Sequence, residues 1–231
     1  MKTIGLLGGM SWESTVEYYR LINELVKARL GGFHSAKCLL YSVDFAEVED
    51  MQRREAWEES AAFLGAAARS LERGGADCIV LCTNTMHKVA AMIQAQVRIP
   101  MLHIVDATAG AIKARGLQRV GLLGTRFTME HDFYKGRLAE LHGLEVLVPG
   151  AEERAVVHEV IDEICLGQRR PESRARYAEI MAGLVAAGAQ GIILGCTEIG
   201  LLVRPEDCAV PLFDTTQVHA AAAVDFALEG E

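Results

Sequence analysis

The chain lacks the features that mark several classes of protein. No run of about 18 apolar residues occurs, so the sequence predicts no membrane-spanning helix. The formal net charge is −8, whereas a nucleic-acid-binding protein needs a basic face to meet phosphates. We therefore expect neither a membrane nor a nucleic acid as a partner. With only five prolines and 51% hydrophobic residues, the chain can bury a substantial core in one large domain or two small ones.

Cysteine is also scarce, since six residues in 231 are too few for a disulfide scaffold. Several cysteines lie within apolar runs, as reduced buried thiols do. The apolar run from Ile4 to Met10 is short for a signal peptide and lacks a small-residue cleavage site, which favours a buried first strand. These features predict a reduced, cytoplasmic protein.

Three segments of the sequence occur twice in the same order. The repeated pairs are Ile4–Gly8 with Val120–Gly124, Gly75–Thr83 with Gly188–Thr197, and Ile99–Leu102 with Val210–Phe213. Their offsets (121 − 5, 188 − 75 and 211 − 100) lie between 111 and 116 residues. Three ordered matches at nearly one offset indicate an internal duplication that gives two similar lobes related by a pseudo-twofold axis.

Short apolar runs alternate with longer amphipathic stretches in each copy. Predicted strands cover 3–8, 37–43, 77–82, 100–104, 119–123, 144–148, 190–195 and 210–213. Predicted helices cover 13–29, 46–73, 85–96, 106–115, 128–141, 151–165, 172–187 and 214–228. This alternation predicts an α/β fold with mostly parallel sheets flanked by helices. We place the first lobe at 1–104 plus 210–231 and the second lobe at 105–209.

Two polar corners follow equivalent apolar strands. Residues 81–87 read Leu-Cys-Thr-Asn-Thr-Met-His, and residues 194–198 read Leu-Gly-Cys-Thr-Glu. Ligands in such folds bind at the carboxyl ends of the strands, where helix N-termini present free amides. We therefore expect both corners to face one cleft between the lobes. Cys196 lies at a predicted helix start, where free amides and the helix dipole would stabilise a thiolate.

Several corner residues have more than one interpretation at this point. Asn84, Thr85 and Thr197 could serve only as helix N-caps, or they could also hold a carboxylate together with the free amides. His87 could orient an acid–base group or be a satisfied helix residue. Glu198 could contact the substrate or only lie near the cap.

The sequence predicts no metal site. Cys78 and Cys82 are four positions apart on a predicted strand, which separates them by about 13 Å at a rise of about 3.3 Å per residue. That distance is too large for two ligands of one metal ion. The glycines at 5, 8 and 9 also lack the spacing of a nucleotide-binding loop.

Three motifs resemble those of the aspartate/glutamate racemase superfamily. They are Gly-Gly-Met-Ser-Trp at 8–12, Asn-Thr-Met-His at 84–87 and Gly-Cys-Thr-Glu at 195–198. The similarity spans essentially the whole chain, and the opening motif is similar to the aspartate racemase branch. The resemblance implies a racemase that needs no cofactor, forms a homodimer and places one acid–base group from each lobe on opposite faces of the substrate's α-carbon.

The chain departs from the family pattern at the first catalytic position. The family motif has a cysteine directly before Asn84, where this chain has Thr83, and Cys82 lies one residue earlier. A one-residue step along a strand turns the side chain to the other face, so Cys82 can replace that thiol only if a bulge distorts the strand. The resemblance therefore implies a Thr83/Cys196 pair, similar to a subgroup close to the bacterial broad-specificity amino acid racemases, with Cys82 as the alternative to Thr83.

The same resemblance suggests residues that bind the amino acid substrate. They are Met10, Gln52, Asn84, Thr85, Thr197, Glu198 and Cys165. Cys165 stands where many aspartate racemases carry a lysine, and Gln52, Arg53 and Arg54 are candidates for gripping a side-chain carboxylate. Specificity for aspartate or glutamate, or for a broader range, is therefore open.

Two other functions also fit the sequence. A related enzyme with a single thiol could isomerise or decarboxylate a small diacid. A non-catalytic amino-acid-binding protein could have lost its first base, since Thr83 replaces the expected cysteine.

Overall fold

Two four-stranded sheets, in which every strand pair is parallel, form the framework of the chain. The computed structural model describes residues 1–230. The strands of the first sheet are β1 (Ile4–Gly8), β2 (Cys38–Ser42), β3 (Cys78–Leu81) and β4 (Met101–Leu102). Those of the second sheet are β5 (Arg119–Gly124), β6 (Glu145–Leu147), β7 (Ile192–Gly195) and β8 (Leu212–Asp214). The predicted α/β fold is confirmed.

Helices connect the strands and cover both faces of each sheet. They are α1 (Trp12–Leu30), α2 (Phe45–Arg53), α3 (Trp57–Arg73), α4 (Ala90–Gln94), α5 (Ile104–Ala114), α6 (Arg126–Glu130), α7 (Asp132–His142), α8 (Ala151–Cys165), α9 (Pro171–Ala186) and α10 (Thr215–Leu228). Short 3-10 turns occur at Thr85–Val89, Ile199–Leu201 and Pro205–Asp207. In the described part of the chain, no helix is both long enough and apolar enough to cross a membrane.

The chain divides into two units. Unit 1 comprises Met1–Ile104 and the C-terminal segment from Thr216, and unit 2 comprises Val105–Thr215. The expectation that 210–231 belongs to the first lobe is wrong for 210–215, which lies in unit 2. Strand β8 forms a parallel ladder with β7, so backbone hydrogen bonds hold this segment in unit 2.

The strands of unit 1 bury both faces because successive side chains point to opposite sides of a sheet. Cys78, Val80 and Cys82 lie in an apolar cluster with side chains of α1 and α10. Ile79 and Leu81 lie in a second cluster, formed with side chains of α3. This double coverage explains why the strand sequences read as continuous apolar runs.

The core of unit 2 is a cluster formed by β5, β7, α8 and α9. It includes Leu123, Ile192 and Leu194 from the sheet. The buried hydroxyl of Tyr177 in α9 donates to the carbonyl oxygen of Val157 in α8 at 2.8 Å, which ties these two helices together.

The predicted helix over 46–73 is two helices. Helix α2 ends in a Schellman motif, in which the N–H of Ala56 donates to the Met51 carbonyl and the N–H of Glu55 donates to the Gln52 carbonyl. Glu55 has a φ of 52°, the left-handed conformation that this motif requires. The residue in that position is usually glycine, so the sequence did not indicate the break.

We predict opposite effects on stability for two glycine-to-alanine changes. A Cβ at Gly5 in β1 would lie 2.8 Å from the Cys78 carbonyl oxygen, so Gly5→Ala forces the sheet to shift and costs about 1–3 kcal/mol. Gly183 in α9 has no atom within 4 Å of such a Cβ, so Gly183→Ala stabilises the helix by about 0.5–1 kcal/mol. Urea unfolding followed by circular dichroism measures both; a Gly5→Ala midpoint at or above the wild-type midpoint contradicts the packing argument.

Candidate active site

The strand order of unit 1 places two loops side by side. The order is β2-β1-β3-β4, so β1 and β3 are hydrogen-bonded neighbours and their carboxyl ends lie together. The loop after β1 contains Met10, and the loop after β3 contains residues 82–87. Helices α1 and α3 cover opposite faces of the sheet, which makes this a switch point of the kind where parallel sheets bind ligands.

Thr83 lies at a tight turn that ends the strand. Its N–H donates to the Leu81 carbonyl at 2.8 Å, so the chain turns at Cys82. The Thr83 carbonyl accepts from Nδ1 of His87 at 2.8 Å, and Nε2 of His87 accepts from the N–H of Ile104 at 3.2 Å. Because a carbonyl can only accept and an N–H can only donate, these two partners select the neutral Nδ1–H tautomer of His87.

Cys82 points away from the polar corner. Its side chain is fully buried in the apolar cluster with residues of α1 and α10, and its thiol donates to the Val80 carbonyl at 3.5 Å. Burial raises the pKa of the Cys82 thiol far above its usual range. The described strand β3 has no bulge that would turn the Cys82 side chain to the side of the sheet toward which Thr83 points.

The other candidates in unit 1 gather around Met86. Met10 and Met86 belong to one apolar cluster, and the Gln52 side-chain amide donates to Sδ of Met86 at 3.0 Å. Asn84 and Thr85 directly precede Met86 in the chain, and both are buried. Asn84 precedes the 3-10 turn without a side-chain capping hydrogen bond, so the N-cap interpretation is wrong for its side chain.

The candidate arginines of unit 1 are engaged elsewhere. Arg53 pairs with Asp50 at 2.6 Å, and Arg54 pairs with Asp50 at 2.8 Å and with Glu59 at 3.2 Å. All of these side chains are exposed on the surface of α2 and α3. The expectation that Arg53 or Arg54 grips a substrate carboxylate is therefore corrected, because local acidic partners hold both guanidinium groups.

The polar corner of unit 2 occupies the equivalent edge of its own sheet. Strands β5 and β7 are neighbours, with Gly124 opposite Gly195, one residue before Cys196. Thr125 caps α6 by accepting from the N–H of Thr128 at 3.3 Å. A Cβ at Gly195 would lie 3.3 Å from Cγ2 of Thr128, so the first turn of α6 packs directly against the strand that carries Cys196.

Cys196 and Glu198 form a buried thiol–carboxylate pair. The Cys196 thiol donates to Oε2 of Glu198 at 2.9 Å, and the Thr197 hydroxyl donates to the same oxygen at 2.6 Å. Cys196 is 9% exposed and Glu198 is 5% exposed. Burial raises the pKa of the Cys196 thiol well above its usual range, and the negative charge of Glu198 adds to the rise.

This geometry corrects two expectations about Cys196. No α-helix begins after it, since only the 3-10 turn Ile199–Leu201 follows and its preceding residue makes no side-chain capping bond. The expectation that Cys196 rests as a stabilised thiolate is also wrong, because burial and the nearby carboxylate both favour the thiol form. Thr197 likewise bonds to Glu198 and is not the cap of a helix.

Cys165 lies at the end of α8 and packs against the core cluster that contains Cys196. A negative charge on Cys165 would contribute weakly to raising the pKa of Cys196. Its thiol is a small, polarisable neighbour of this cluster and supplies no positive charge.

Some residues at these edges were missed by reasoning from the sequence. The rings of His103 and His219 contact His87, with centroids 4.6 and 5.7 Å from it. No local pattern links these three positions. The turn at Thr125–Thr128 was also missed. The duplication could have indicated it, since Gly124 corresponds to Gly8, which begins the Gly-Gly-Met-Ser-Trp motif of the first copy.

The arrangement allows proton transfer at sulfur. The carboxylate of Glu198 is placed to accept the proton of Cys196, and the thiolate then formed is strongly basic because its pKa is raised. No group of three or more His, Cys, Asp or Glu side chains in the described residues is arranged to hold a metal ion.

Comparison with known proteins gives consistent matches over nearly the whole chain. The profile of the Asp/Glu/hydantoin racemase family matches residues 7–223. The broad specificity amino-acid racemase RacX of Bacillus subtilis is 25% identical over 224 residues, which cover 96% of each chain.

Two solved structures are similar in both sequence and fold. A Yersinia pestis protein provisionally assigned as an Asp/Glu racemase is 56% identical, with a TM-score of 0.94 and coverage of 99% of this chain and 100% of that one. An aspartate racemase homologue from Pyrococcus horikoshii OT3 is 36% identical, with a TM-score of 0.84 and the same coverage.

We predict that Glu198→Gln lowers the pKa of the Cys196 thiol. A nearby negative charge disfavours the thiolate, so its removal shifts the pKa toward the ordinary value, and an amide N–H of glutamine can donate to the thiolate. The measurement is the pH dependence of iodoacetamide labelling of the Cys196 peptide, followed by mass spectrometry. Glu206→Gln, which changes an exposed carboxylate paired with Arg174, is the control. A labelling midpoint that stays the same or rises in Glu198→Gln contradicts the assigned interaction.

Proposed function

The chain belongs to the Asp/Glu/hydantoin racemase family, and on that premise we propose that it is an amino acid racemase that acts without a cofactor. The reaction is a 1,1-proton transfer at the α-carbon, with Cys196 of unit 2 and Thr83 of unit 1 as the acid–base groups. The observation that carries the proposal is the buried hydrogen bond from the Cys196 thiol to the Glu198 carboxylate at 2.9 Å.

Cys196 acts as the base in the first half of the reaction. Its proton passes to Oε2 of Glu198, and the thiolate then removes the α-proton of the substrate and becomes a thiol again. Glu198 afterwards releases the proton that it holds to solvent. The raised pKa of the thiol favours this step, because a thiolate of higher pKa binds the α-proton more tightly.

Thr83 acts on the opposite side of the substrate. Its hydroxyl donates a proton to the carbanion or holds the water that does so, and solvent restores that proton. A hydroxyl is a much weaker acid than a thiol, so the two directions of the reaction differ in kcat and in KM, while kcat/KM is equal because the two enantiomers have equal free energy. The bond from His87 to the Thr83 carbonyl supports this role by fixing the backbone of Thr83.

Backbone amides and small polar side chains hold the substrate carboxylate. The amides that follow Thr83 and Cys196, together with the side chains of Asn84 and Thr85, stabilise the enolate-like charge that develops at that group. Thr197 contributes its backbone N–H to this set, while its side-chain hydroxyl donates to Glu198 and orients the carboxylate beside the thiol.

The substrate is aspartate, glutamate or a broader set of amino acids. Arg53 and Arg54 are paired with acidic residues of their own surface, which leaves Gln52 as the polar group of α2 that lies near the corner. An amide is uncharged, so it does not select for a carboxylate in the way that a guanidinium does. The homodimer, the cytoplasmic location and the independence from a cofactor stay predictions.

Because Thr83 stands where a cysteine is expected, two alternative functions are also tested. A single thiol suffices for isomerisation or decarboxylation of a small diacid, and a chain without its first thiol could bind amino acids without turning them over. Incubation with single L-amino acids in D2O separates these functions, because only a racemase exchanges the α-proton and inverts the centre. Binding without exchange supports the binding protein.

We predict that Cys196→Ser abolishes α-proton exchange, with a loss of at least about 100-fold. Serine keeps the size of the side chain but its hydroxyl is too weak an acid to form the base. Proton NMR of the α-position in D2O measures the loss. Cys208→Ser is the matched control, because Cys208 packs against the same core cluster outside the corner. Near-normal exchange in a folded Cys196→Ser protein would exclude Cys196 as the base.

A second pair of variants tests the first acid–base position. Thr83→Ala is expected to reduce racemisation by about 100-fold or more, since it removes the hydroxyl. Cys82→Ala is expected to keep most activity and to cost about 1 kcal/mol of stability, because it removes a small buried group. Thr83→Cys should bring the kcat values of the forward and reverse reactions closer together. An inactive but folded Cys82→Ala protein beside an active Thr83→Ala protein would assign the role to Cys82.

A further inference from the structure

A row of four aromatic rings runs through unit 1 from α1 to the turn that carries Thr83. The ring centroids of Tyr18 and His219 are 5.6 Å apart, those of His219 and His87 are 5.7 Å apart, and those of His87 and His103 are 4.6 Å apart. Tyr18 and His219 are fully buried, and His87 is 3% exposed. Polar rings buried to this extent need hydrogen-bond partners, because burial without them is costly.

His219 of α10 is bonded on both of its ring nitrogens. Its Nε2 lies 2.8 Å from the Leu102 carbonyl oxygen, and its Nδ1 lies 2.9 Å from the Tyr18 hydroxyl. Burial lowers the pKa of His219 to about 4, so the ring is neutral at neutral pH. Because a carbonyl can only accept, Nε2 carries the single proton and Nδ1 accepts from Tyr18.

The Leu102 carbonyl belongs to a short segment that also holds His87. Strand β4, which ends at Leu102, pairs with β3, so this segment runs beside the end of the strand that leads to Thr83. Two residues after Leu102, the N–H of Ile104 donates to Nε2 of His87 at 3.2 Å. A displacement of Leu102 would therefore carry the Ile104 N–H away from His87.

The Ile104 N–H decides which nitrogen of His87 carries the proton. With Nε2 occupied as an acceptor, the proton of the neutral ring is on Nδ1, where it is donated to the Thr83 carbonyl at 2.8 Å. Without that N–H the ring can adopt its other tautomer, which has no proton to donate to Thr83. The anchor of the Thr83 backbone thus depends on the segment that His219 holds.

We propose that His219 is a positioning residue for Thr83, acting through the Leu102 carbonyl, the Ile104 N–H and His87. The Thr83 N–H is already held by the Leu81 carbonyl at 2.8 Å, so the bond from His87 fixes the other side of this residue. With both sides of the backbone fixed, the hydroxyl has one place from which to act. The inference rests on the proposed function for the role of that hydroxyl, but the link from His219 to His87 is measurable without activity.

Misplacement of Thr83 should separate proton exchange from inversion. Cys196 breaks the Cα–H bond of the enantiomer whose α-proton faces it, and the electron pair stays on the substrate. In D2O the carbanion takes a deuteron from the Thr83 side, which inverts the centre, or from Cys196 after its thiol has exchanged with solvent, which does not. Misalignment of Thr83 slows only the first route. A general loss of folded protein lowers both routes together.

The first test is the ratio of exchange without inversion to inversion, measured on the full chain in D2O by proton NMR and chiral chromatography. His219→Leu removes both hydrogen bonds of the ring and is expected to raise this ratio about tenfold. His219→Gln offers an amide N–H to the Leu102 carbonyl and should restore most of the wild-type ratio. Val224→Ala is the control, because Val224 is a buried residue of the same helix and packs in the same apolar cluster as Tyr18. It lowers stability and should leave the ratio unchanged.

The second test reads the His87 tautomer directly and needs no substrate. Nitrogen-15 NMR of the chain labelled in its histidines distinguishes a protonated from an unprotonated ring nitrogen, and the His87 signals are those missing from His87→Asn. The wild type is expected to show the Nδ1–H form, and His219→Leu is expected to show a mixture of both tautomers. Val224→Ala should match the wild type.

Two results overturn the proposal. They are an unchanged ratio in folded His219→Leu and a ratio that rises equally in Val224→Ala. A wild-type chain that neither exchanges nor inverts any amino acid contradicts the proposed function instead, and an unchanged His87 tautomer in His219→Leu then overturns the link itself. Tyr18→Phe removes one hydroxyl and keeps the ring, so the same two measurements on this variant decide the question if His219→Leu does not fold; a rise in the ratio and a shift of the tautomer, both smaller, are expected.

Discussion

Parallel hydrogen bonding between β1 and β3, and between β5 and β7, decides where the polar residues of each unit can meet. In both sheets the first and third strands are neighbours, so the loops after them share one edge although they are separated by more than 60 residues of sequence. Helices fill both faces, which leaves that edge as the place where backbone groups and polar side chains are not consumed by the core. Thr83 and Cys196 each occupy such an edge.

Burial alone does not distinguish Cys196 from the cysteines that only pack in the core of this chain. Burial raises the pKa of Cys78 to about 12 and raises the pKa of Cys82 further, and both thiols lie in an apolar cluster. Cys196 differs because its thiol has a carboxylate acceptor, Glu198, which is itself held by Thr197. A buried carboxylate without partners would be costly, so two donors on one oxygen are what allow Glu198 to remain beside the sulfur.

The sequence predicted the parts of the structure that depend on local pattern. Apolar runs identified the strands, and the duplication identified two similar sheets, because both patterns can be read without knowing which residues are neighbours in space. The prediction of one helix over 46–73 failed at Glu55, whose left-handed conformation is unusual for its residue type. The prediction of a helix start after Cys196 failed because no α-helix begins there. Arg53 and Arg54 could not be placed either, since their orientation is decided by Asp50 and Glu59 across the surface.

The two units show which positions a duplicated sheet must keep and which it can change. Gly8 and Gly124 both lie where a Cβ would collide with a threonine, Thr15 in one unit and Thr128 in the other, so close packing of helix on strand retains glycine in both. Residues beyond the strand ends do not pair within the sheet, so their side chains can differ between the two units. One unit has therefore placed a hydroxyl at its corner and the other a thiol with a carboxylate, on the same backbone plan. Two copies of one scaffold therefore carry corner side chains of different acid strength, a hydroxyl in one unit and a thiol in the other.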